Sequence, residues 1–214
     1  TEEAEQEFQA ALKFEPNYDY VKSVMQPMTQ LVNTPAVRNL SSAPWPLLAR
    51  DSESDGVNPN WAAVNTLSYF YDAATDTVWF KFDLARLPNP HAFGINLVVD
   101  TDDDQSTGAN WWGGNGAFTY DRLVSVWVVK SGAHAYRGAV GVGDFYGVTA
   151  GRYTNLARNN LAFRADSTQR MMLLGIKRAE LDDDGRMRLI AAVGSHAGWN
   201  DDVPDSSSAR LELK

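Results

Sequence analysis

From Trp61 onward, the sequence is a succession of short apolar runs separated by turn residues at intervals of about ten positions. The first two runs, 67–71 and 78–84, flank the turn 73–77 and predict a β-hairpin. Seven further runs predict strands at residues 92–99, 123–129, 135–142, 160–164, 171–176, 188–193 and 209–213. Helices do not alternate with these runs, which disfavours a parallel sheet. The pattern predicts a mainly β fold, an antiparallel β-sandwich of the immunoglobulin or jelly-roll kind.

The N-terminal residues follow a different pattern. Residues 1–33 carry a helical period, with acidic residues in the first turn and a break at Pro16, and they predict a two-helix lead-in. Residues 34–60 are rich in Ser, Pro, Asn and Asp and predict an ordered linker. The β-sandwich domain is expected to occupy residues 61–214.

Composition excludes several classes of function. The chain of 214 residues is 44% hydrophobic, enough for a sizeable core, and its net charge of −8 disfavours binding to nucleic acid or to an anionic membrane surface. It contains no cysteine, so it forms no disulfide, and no apolar run reaches the roughly 18 residues of a membrane span. Thr1 is not a natural start, so we expect a mature chain or an excised piece from which a leader could have been removed.

The most chemically informative segment is an acidic turn that follows a buried strand. Asp100, Asp102 and Asp104 alternate along this turn, where their charges repel one another unless a cation neutralises them. Oxygen ligands of this kind favour calcium over magnesium. The turn lacks the Gly and Glu of an EF-hand loop, so we expect Asp121 and a carbonyl near Ser106 to complete the site. The alternative is a solvated turn whose aspartates only form turns.

Tryptophans provide the candidate ligand site. Trp111 and Trp112 lie in a Gly-rich turn, and exposed aromatic faces there would suit stacking on a sugar ring, with Asn115 bonding hydroxyl groups. Trp199, read as a loop residue, is a weaker candidate. The alternative is that one of the paired tryptophans closes the core while the other packs against the helices.

Several segments together resemble family 9-type carbohydrate-binding modules and DOMON-like domains over roughly residues 51–214. The segments that carry the resemblance are VWFKFDL, VVDTDDDQSTGANWWG, TYDRLVSVWV, GIKRAEL and WNDDVPDSSSARLEL. The resemblance implies a β-sandwich of seven to ten strands, a structural cation and non-catalytic binding, often of a glycan.

The sequence therefore predicts a calcium-stabilised, non-catalytic carbohydrate-binding module of a bacterial protein that is secreted, periplasmic or on the cell surface. A structural domain that docks a protein partner through its N-terminal helices, with calcium purely structural, is the main alternative. A glycan-acting hydrolase is a third, although no nucleophile or metalloprotease motif is present. Haem bound through Met171, Met172 or Met187 is a remaining alternative.

Overall fold

The structure is a computed structural model that describes residues 40, 43–51, 62–87, 92–111, 118–131, 135–144, 152–155, 161–166, 170–181, 185–195, 198–205 and 207–213. The helical lead-in predicted at residues 1–33 lies outside the described residues. The described strands are β1 (Leu47–Arg50), β2 (Ala63–Asp72), β3 (Thr77–Arg86), β4 (Ala92–Asp100), β5 (Ala109–Asn110), β6 (Thr119–Tyr120), β7 (Arg122–Ser131), β8 (Ala135–Asp144), β9 (Arg152–Asn155), β10 (Leu161–Asp166), β11 (Met171–Lys177), β12 (Arg186–Ser195), β13 (Gly198–Val203) and β14 (Ala209–Glu212). One 3-10 turn, Arg178–Glu180, follows β11.

The strands form two large antiparallel sheets. Sheet A has five strands in the order β1-β2-β3-β11-β10, and sheet B has seven, in the order β13-β12-β4-β7-β8-β9 with β14 also paired to β12. A third, two-stranded sheet joins β5 to β6. The prediction of a mainly β, antiparallel fold is confirmed.

One apolar cluster joins the facing sides of the two sheets. Val78, Phe80 and Phe82 alternate along β3 in sheet A, and they belong to the same cluster as Ile95 and Leu97 of β4 in sheet B. All five side chains are fully buried. Period-two alternation places these side chains on one face of each strand, as the core of a β-sandwich requires.

Each sheet also carries a smaller apolar cluster on its outer face. On sheet B, Trp111 and Phe118 cover Val98, Leu123 and Ile190, and the hairpin of β5 and β6 brings them there. On sheet A, the cluster is built on two neighbouring side chains, Trp79 and Leu173, with Trp45 and Phe70 packed against them. These clusters shield part of each outer face from water. The alternating pattern alone does not predict this, since it places the apolar side chains on one face of each strand.

The structure corrects two boundaries. Residues 47–50, which the sequence analysis placed in the linker, form β1 and pair with β2, so the sandwich begins before residue 61. Trp199 lies in β13 and pairs with Gly194, not in a loop. The two large sheets hold twelve strands, more than the seven to ten that the resemblance implied.

Of the three methionines of the haem alternative, Met172 and Met187 are about 1% exposed and belong to the central core. Met171 is half-buried and packs against the outer cluster of sheet A. In the described part of the chain, no helix has the length and apolar character needed to cross a bilayer.

Candidate metal centre

Two adjacent strands bring distant carboxylates together. Strands β4 and β7 are antiparallel neighbours, and Val99 of β4 lies opposite Arg122 of β7. Asp100 is the last residue of β4 and Asp121 immediately precedes β7, so the antiparallel register sets them side by side. The N–H of Asp121 donates to the Val99 carbonyl at 2.9 Å and fixes this approach.

Asp102, in the turn after β4, completes a group of three carboxylates. One oxygen from each of Asp100, Asp102 and Asp121 lies within 4.8 Å of the other two. Calcium–oxygen distances are about 2.3–2.6 Å, so ligands on opposite sides of one ion lie about 5 Å apart. The separations therefore suit three ligands of a single ion.

Two members of the group are buried, and one has an oxygen without a partner. Asp100 is 1% exposed and Asp121 is 3% exposed, whereas Asp102 is exposed. Asp121 Oδ1 is a buried atom that accepts no hydrogen bond. Its other oxygen, Oδ2, accepts from the N–H of Thr101 at 3.0 Å and from the Thr101 hydroxyl at 3.2 Å. An unpaired buried carboxylate oxygen is costly, and a bound cation would remove that cost.

Gln105 ties the acidic turn to β6. Its Nε2 donates to Asp100 Oδ2 at 2.5 Å and to the Thr119 carbonyl at 3.1 Å, while its Oε1 accepts from the Thr119 N–H at 3.0 Å. In the sequence analysis, this position counted only as one that lacks the Gly of an EF-hand loop. The structure shows that the amide orients a carboxylate of the cluster.

The electrostatics of the cluster disfavour three ionised carboxylates on their own. Burial raises the pKa of Asp100 to about 6, with further raising contributions from Asp102 and Asp121, while the Gln105 hydrogen bond lowers it. Burial also raises the pKa of Asp121, and the Asp102 charge adds to this, against hydrogen bonds from Thr101 and the Asp102 backbone. A divalent cation would reverse these shifts by stabilising the ionised forms.

Gly108 allows the turn to close over Asp121. Its φ is +74°, and a Cβ built on it would lie 2.4 Å from the Tyr120 carbonyl oxygen and 2.9 Å from Asp121 Oδ1. A side chain at this position would therefore meet both backbone and the unpaired carboxylate oxygen. Glycine is needed here for the close approach and for the positive φ.

Asp103 anchors the turn to sheet B and does not join the cluster. It has a φ of +58°, and its carboxylate accepts a hydrogen bond from the Nε of Arg188 on β12. A second arginine, Arg210 on β14, lies 3.8 Å from the same carboxylate.

The remaining predicted ligands are arranged differently. Asp104 lies outside the group of three, and its Oδ1 accepts from the Ser106 N–H at 2.9 Å and the Ser106 hydroxyl at 2.7 Å. These hydrogen bonds hold the pKa of Asp104 below its usual value. Asp104 and Ser106 thus bond to each other, and the structure brings together Asp100, Asp102 and Asp121 from the predicted set.

Trp111 is not a surface platform, and the prediction for this residue is wrong. Its side chain is 1% exposed, its Nε1 donates to Asp202 Oδ2 at 2.9 Å, and its ring meets Tyr120 edge-on at 6.1 Å. A ring buried on both faces cannot stack on a ligand. Trp112 and Asn115 lie outside the described residues, and so does the side chain of Trp199.

A second acidic group joins one residue that follows β1 to two residues near the C-terminal end of the chain. Oxygens of Asp51, Asp201 and Asp205 lie within 4.8 Å of one another. Asp201 Oδ2 accepts from the Val64 N–H at 2.6 Å and so joins β13 to β2. The sequence analysis missed Asp51, although it follows β1 directly, as Asp100 ends β4.

Comparisons of this chain with protein-family models, curated proteins and solved structures gave no match.

Proposed function

We propose that this chain is a non-catalytic β-sandwich binding domain in which one calcium ion organises the acidic turn. The observation that carries the proposal is the meeting of Asp100, Asp102 and Asp121, with the buried Oδ1 of Asp121 unpaired. The ion would join three carboxylates: one at the end of β4, one in the turn that follows it, and one directly before β7. Calcium would thus fasten β4 to β7 at this edge of sheet B.

Calcium is favoured over magnesium by the chemistry of the donors. All three side-chain donors are carboxylates, and calcium accepts six to eight oxygens in flexible geometry. Magnesium demands near-octahedral geometry and keeps several waters, which suits a site with two buried carboxylates poorly. Backbone carbonyls and waters would supply the rest of the calcium coordination.

Thermal unfolding tests this assignment. We expect the melting temperature of the chain to rise in calcium relative to chelator, since an ion that binds only the folded state stabilises it. Magnesium at the same concentration should give a smaller rise. Equal melting temperatures in calcium and chelator would contradict the proposal.

We further propose that the ligand of the domain is a carbohydrate and that the parent protein is exported or presented on a bacterial surface. The resemblance to carbohydrate-binding modules supports the ligand class. Calcium sites of extracellular modules have dissociation constants of about 10⁻⁴–10⁻³ M. A partly exposed site such as this one can reach this weak affinity. Retention of the chain on an immobilised polysaccharide panel in calcium is expected for at least one glycan, and retention on none would contradict this assignment.

A further inference from the structure

An open cavity of about 500 Å³ lies where the edges of the two sheets meet. Pro44 and Pro46 form one wall, the residues 69–71 of β2 form the floor, and Arg210 and Glu212 of β14 stand at the rim. The volume falls within the range of about 300–1,000 Å³ typical of small-molecule sites. None of the three carboxylates of the acidic cluster lines this cavity.

Hydrogen bonds and ring contacts hold the proline wall in place. The N–H of Tyr69 donates to the Pro46 carbonyl at 3.1 Å, which ties the wall to β2. Between the two prolines, Trp45 donates from Nε1 to the Leu40 carbonyl at 3.2 Å and meets Phe70 edge-on at 6.1 Å. A wall fixed in this way needs little ordering when a ligand binds.

The aromatic floor is also fixed. Tyr69 and Tyr71 are half-buried and pack against the central core, as does Leu213. The Tyr71 hydroxyl donates to Asp76 Oδ1 at 2.8 Å, and the Arg178 guanidinium lies 5.9 Å from the centre of the Tyr71 ring. These contacts hold Tyr71 in one orientation and keep this part of the floor rigid.

We propose that this cavity binds a neutral sugar ring. Arg210 and Glu212 are exposed, carry opposite charges and lie on the same face of β14, so they offer donors and acceptors to hydroxyl groups without a net charge. A pyranose would place its apolar C–H face against Tyr69 and the two prolines and turn its hydroxyl groups to the rim. The inference rests on the proposed carbohydrate function and names its site.

Charge separates this ligand from acidic glycans. The chain carries a net charge of −8, and the acidic turn lies near the cavity, since Arg210 is 3.8 Å from Asp103. Polyanions such as uronate polymers are therefore repelled. The competing occupant is an extended peptide, which would pair with β2 beyond Ser68, where the pairing with β1 ends.

Chemical-shift mapping on the isotope-labelled full chain in saturating calcium tests the proposal. The probes are glucose, galactose, mannose, xylose, cellobiose and maltose. We expect at least one to give saturable shifts at the amides of residues 69–71 and of Glu212. The double variant Arg210→Ala/Glu212→Ala should weaken that affinity at least about tenfold, because it removes the rim donors and acceptors.

Arg50→Ala, another exposed arginine of an edge strand, is the matched control and should leave the affinity unchanged. Shifts that map elsewhere, or no shifts at high millimolar sugar, would overturn the proposal. The proposal would also be overturned if an extended peptide shifted the amides of β2 and none of the sugars did. Polysaccharide retention that survives the double variant would overturn this site and leave the carbohydrate function standing. If no polysaccharide retains the chain and no sugar shifts its amides, both this site and the carbohydrate function are contradicted.

Discussion

At the scale of single residues, Asp121 has the most distinctive environment of the candidate centre. One of its oxygens accepts two hydrogen bonds from Thr101, while the other is buried without a partner. The sequence analysis expected Asp121 to complete the site because the acidic turn lacks the Gly and Glu of an EF-hand loop. It did not identify Gln105 as the amide that holds Asp100, because the partner carbonyl of Thr119 lies 14 residues away.

We expect Asp121→Asn to change stability in opposite directions with and without calcium. In chelator, the amide removes one of three repelling carboxylates, so the variant should melt at a higher temperature than the wild type. In calcium, it removes a charged ligand, so the variant should melt at a lower temperature. Thermal melts of both proteins in both buffers measure this reversal, and a shift of the same sign in both buffers would argue against an ion at this position.

The pH dependence of the metal-free protein follows from Asp100. Its pKa is about 6 in the folded chain against a usual value of 3.8. Between these two pH values, the folded chain therefore binds more protons than the unfolded chain does. The free energy of unfolding in chelator should therefore decrease as pH rises through this window, and the raised pKa of Asp121 acts in the same direction. In calcium, the ion competes with protons, so its stabilisation should grow with pH. Denaturant unfolding between about pH 4 and 7 tests this, and a calcium effect that shrinks as pH rises would contradict it.

At the scale of elements, all the long strands were predicted from the sequence, and every strand that was missed is short. The periodic runs gave β2, β3, β4 and the later long strands, because alternation over many residues is a strong signal. The sequence analysis missed β1, β5, β6, β9 and β13, all of six residues or fewer.

Trp111 was misassigned for a related reason. Its partner Asp202 lies 91 residues away on β13, so nothing local indicated burial.

The turn between β4 and β5 depends on Gly108. We expect Gly108→Ala to destabilise the chain by roughly 1–3 kcal/mol and to weaken calcium binding, because the methyl group meets Tyr120 and Asp121 in a strained conformation. Denaturant unfolding and a calcium titration measure the two effects.

Gly185→Ala is the matched control for this variant. Gly185 also has a positive φ, +105°, but its nearest neighbour would lie 3.7 Å from an added Cβ. It should show the cost of backbone strain without the collision and without loss of calcium affinity. Equal effects of the two substitutions would mean that the close approach at Gly108 contributes nothing.

At the scale of the whole molecule, the candidate calcium site and the proposed sugar cavity are distinct and only weakly connected. The contact that links them is between Arg210 and Asp103, 3.8 Å apart, with the arginine side chain 68% exposed. Exposed ion pairs of this kind contribute about 0–1 kcal/mol. Trp111, which the sequence analysis proposed for stacking on a sugar, belongs to neither site, since it is buried in the outer cluster of sheet B.

We therefore expect calcium removal to change sugar affinity by less than about fivefold, provided that the chain remains folded. Titration of one bound sugar in calcium and in chelator, below both melting temperatures, measures the ratio. A loss of affinity much beyond tenfold on chelation would indicate that the acidic turn itself contacts the ligand.

The central claim is that Asp100, Asp102 and Asp121 hold one calcium ion, and calorimetric titration tests it most directly. The wild type should bind one calcium ion at this centre, Asp121→Asn should lose that binding, and Asp104→Asn should keep most of it, because Asp104 bonds to Ser106 and lies outside the group. Absence of binding in the wild type, or equal losses in the two variants, would contradict the account.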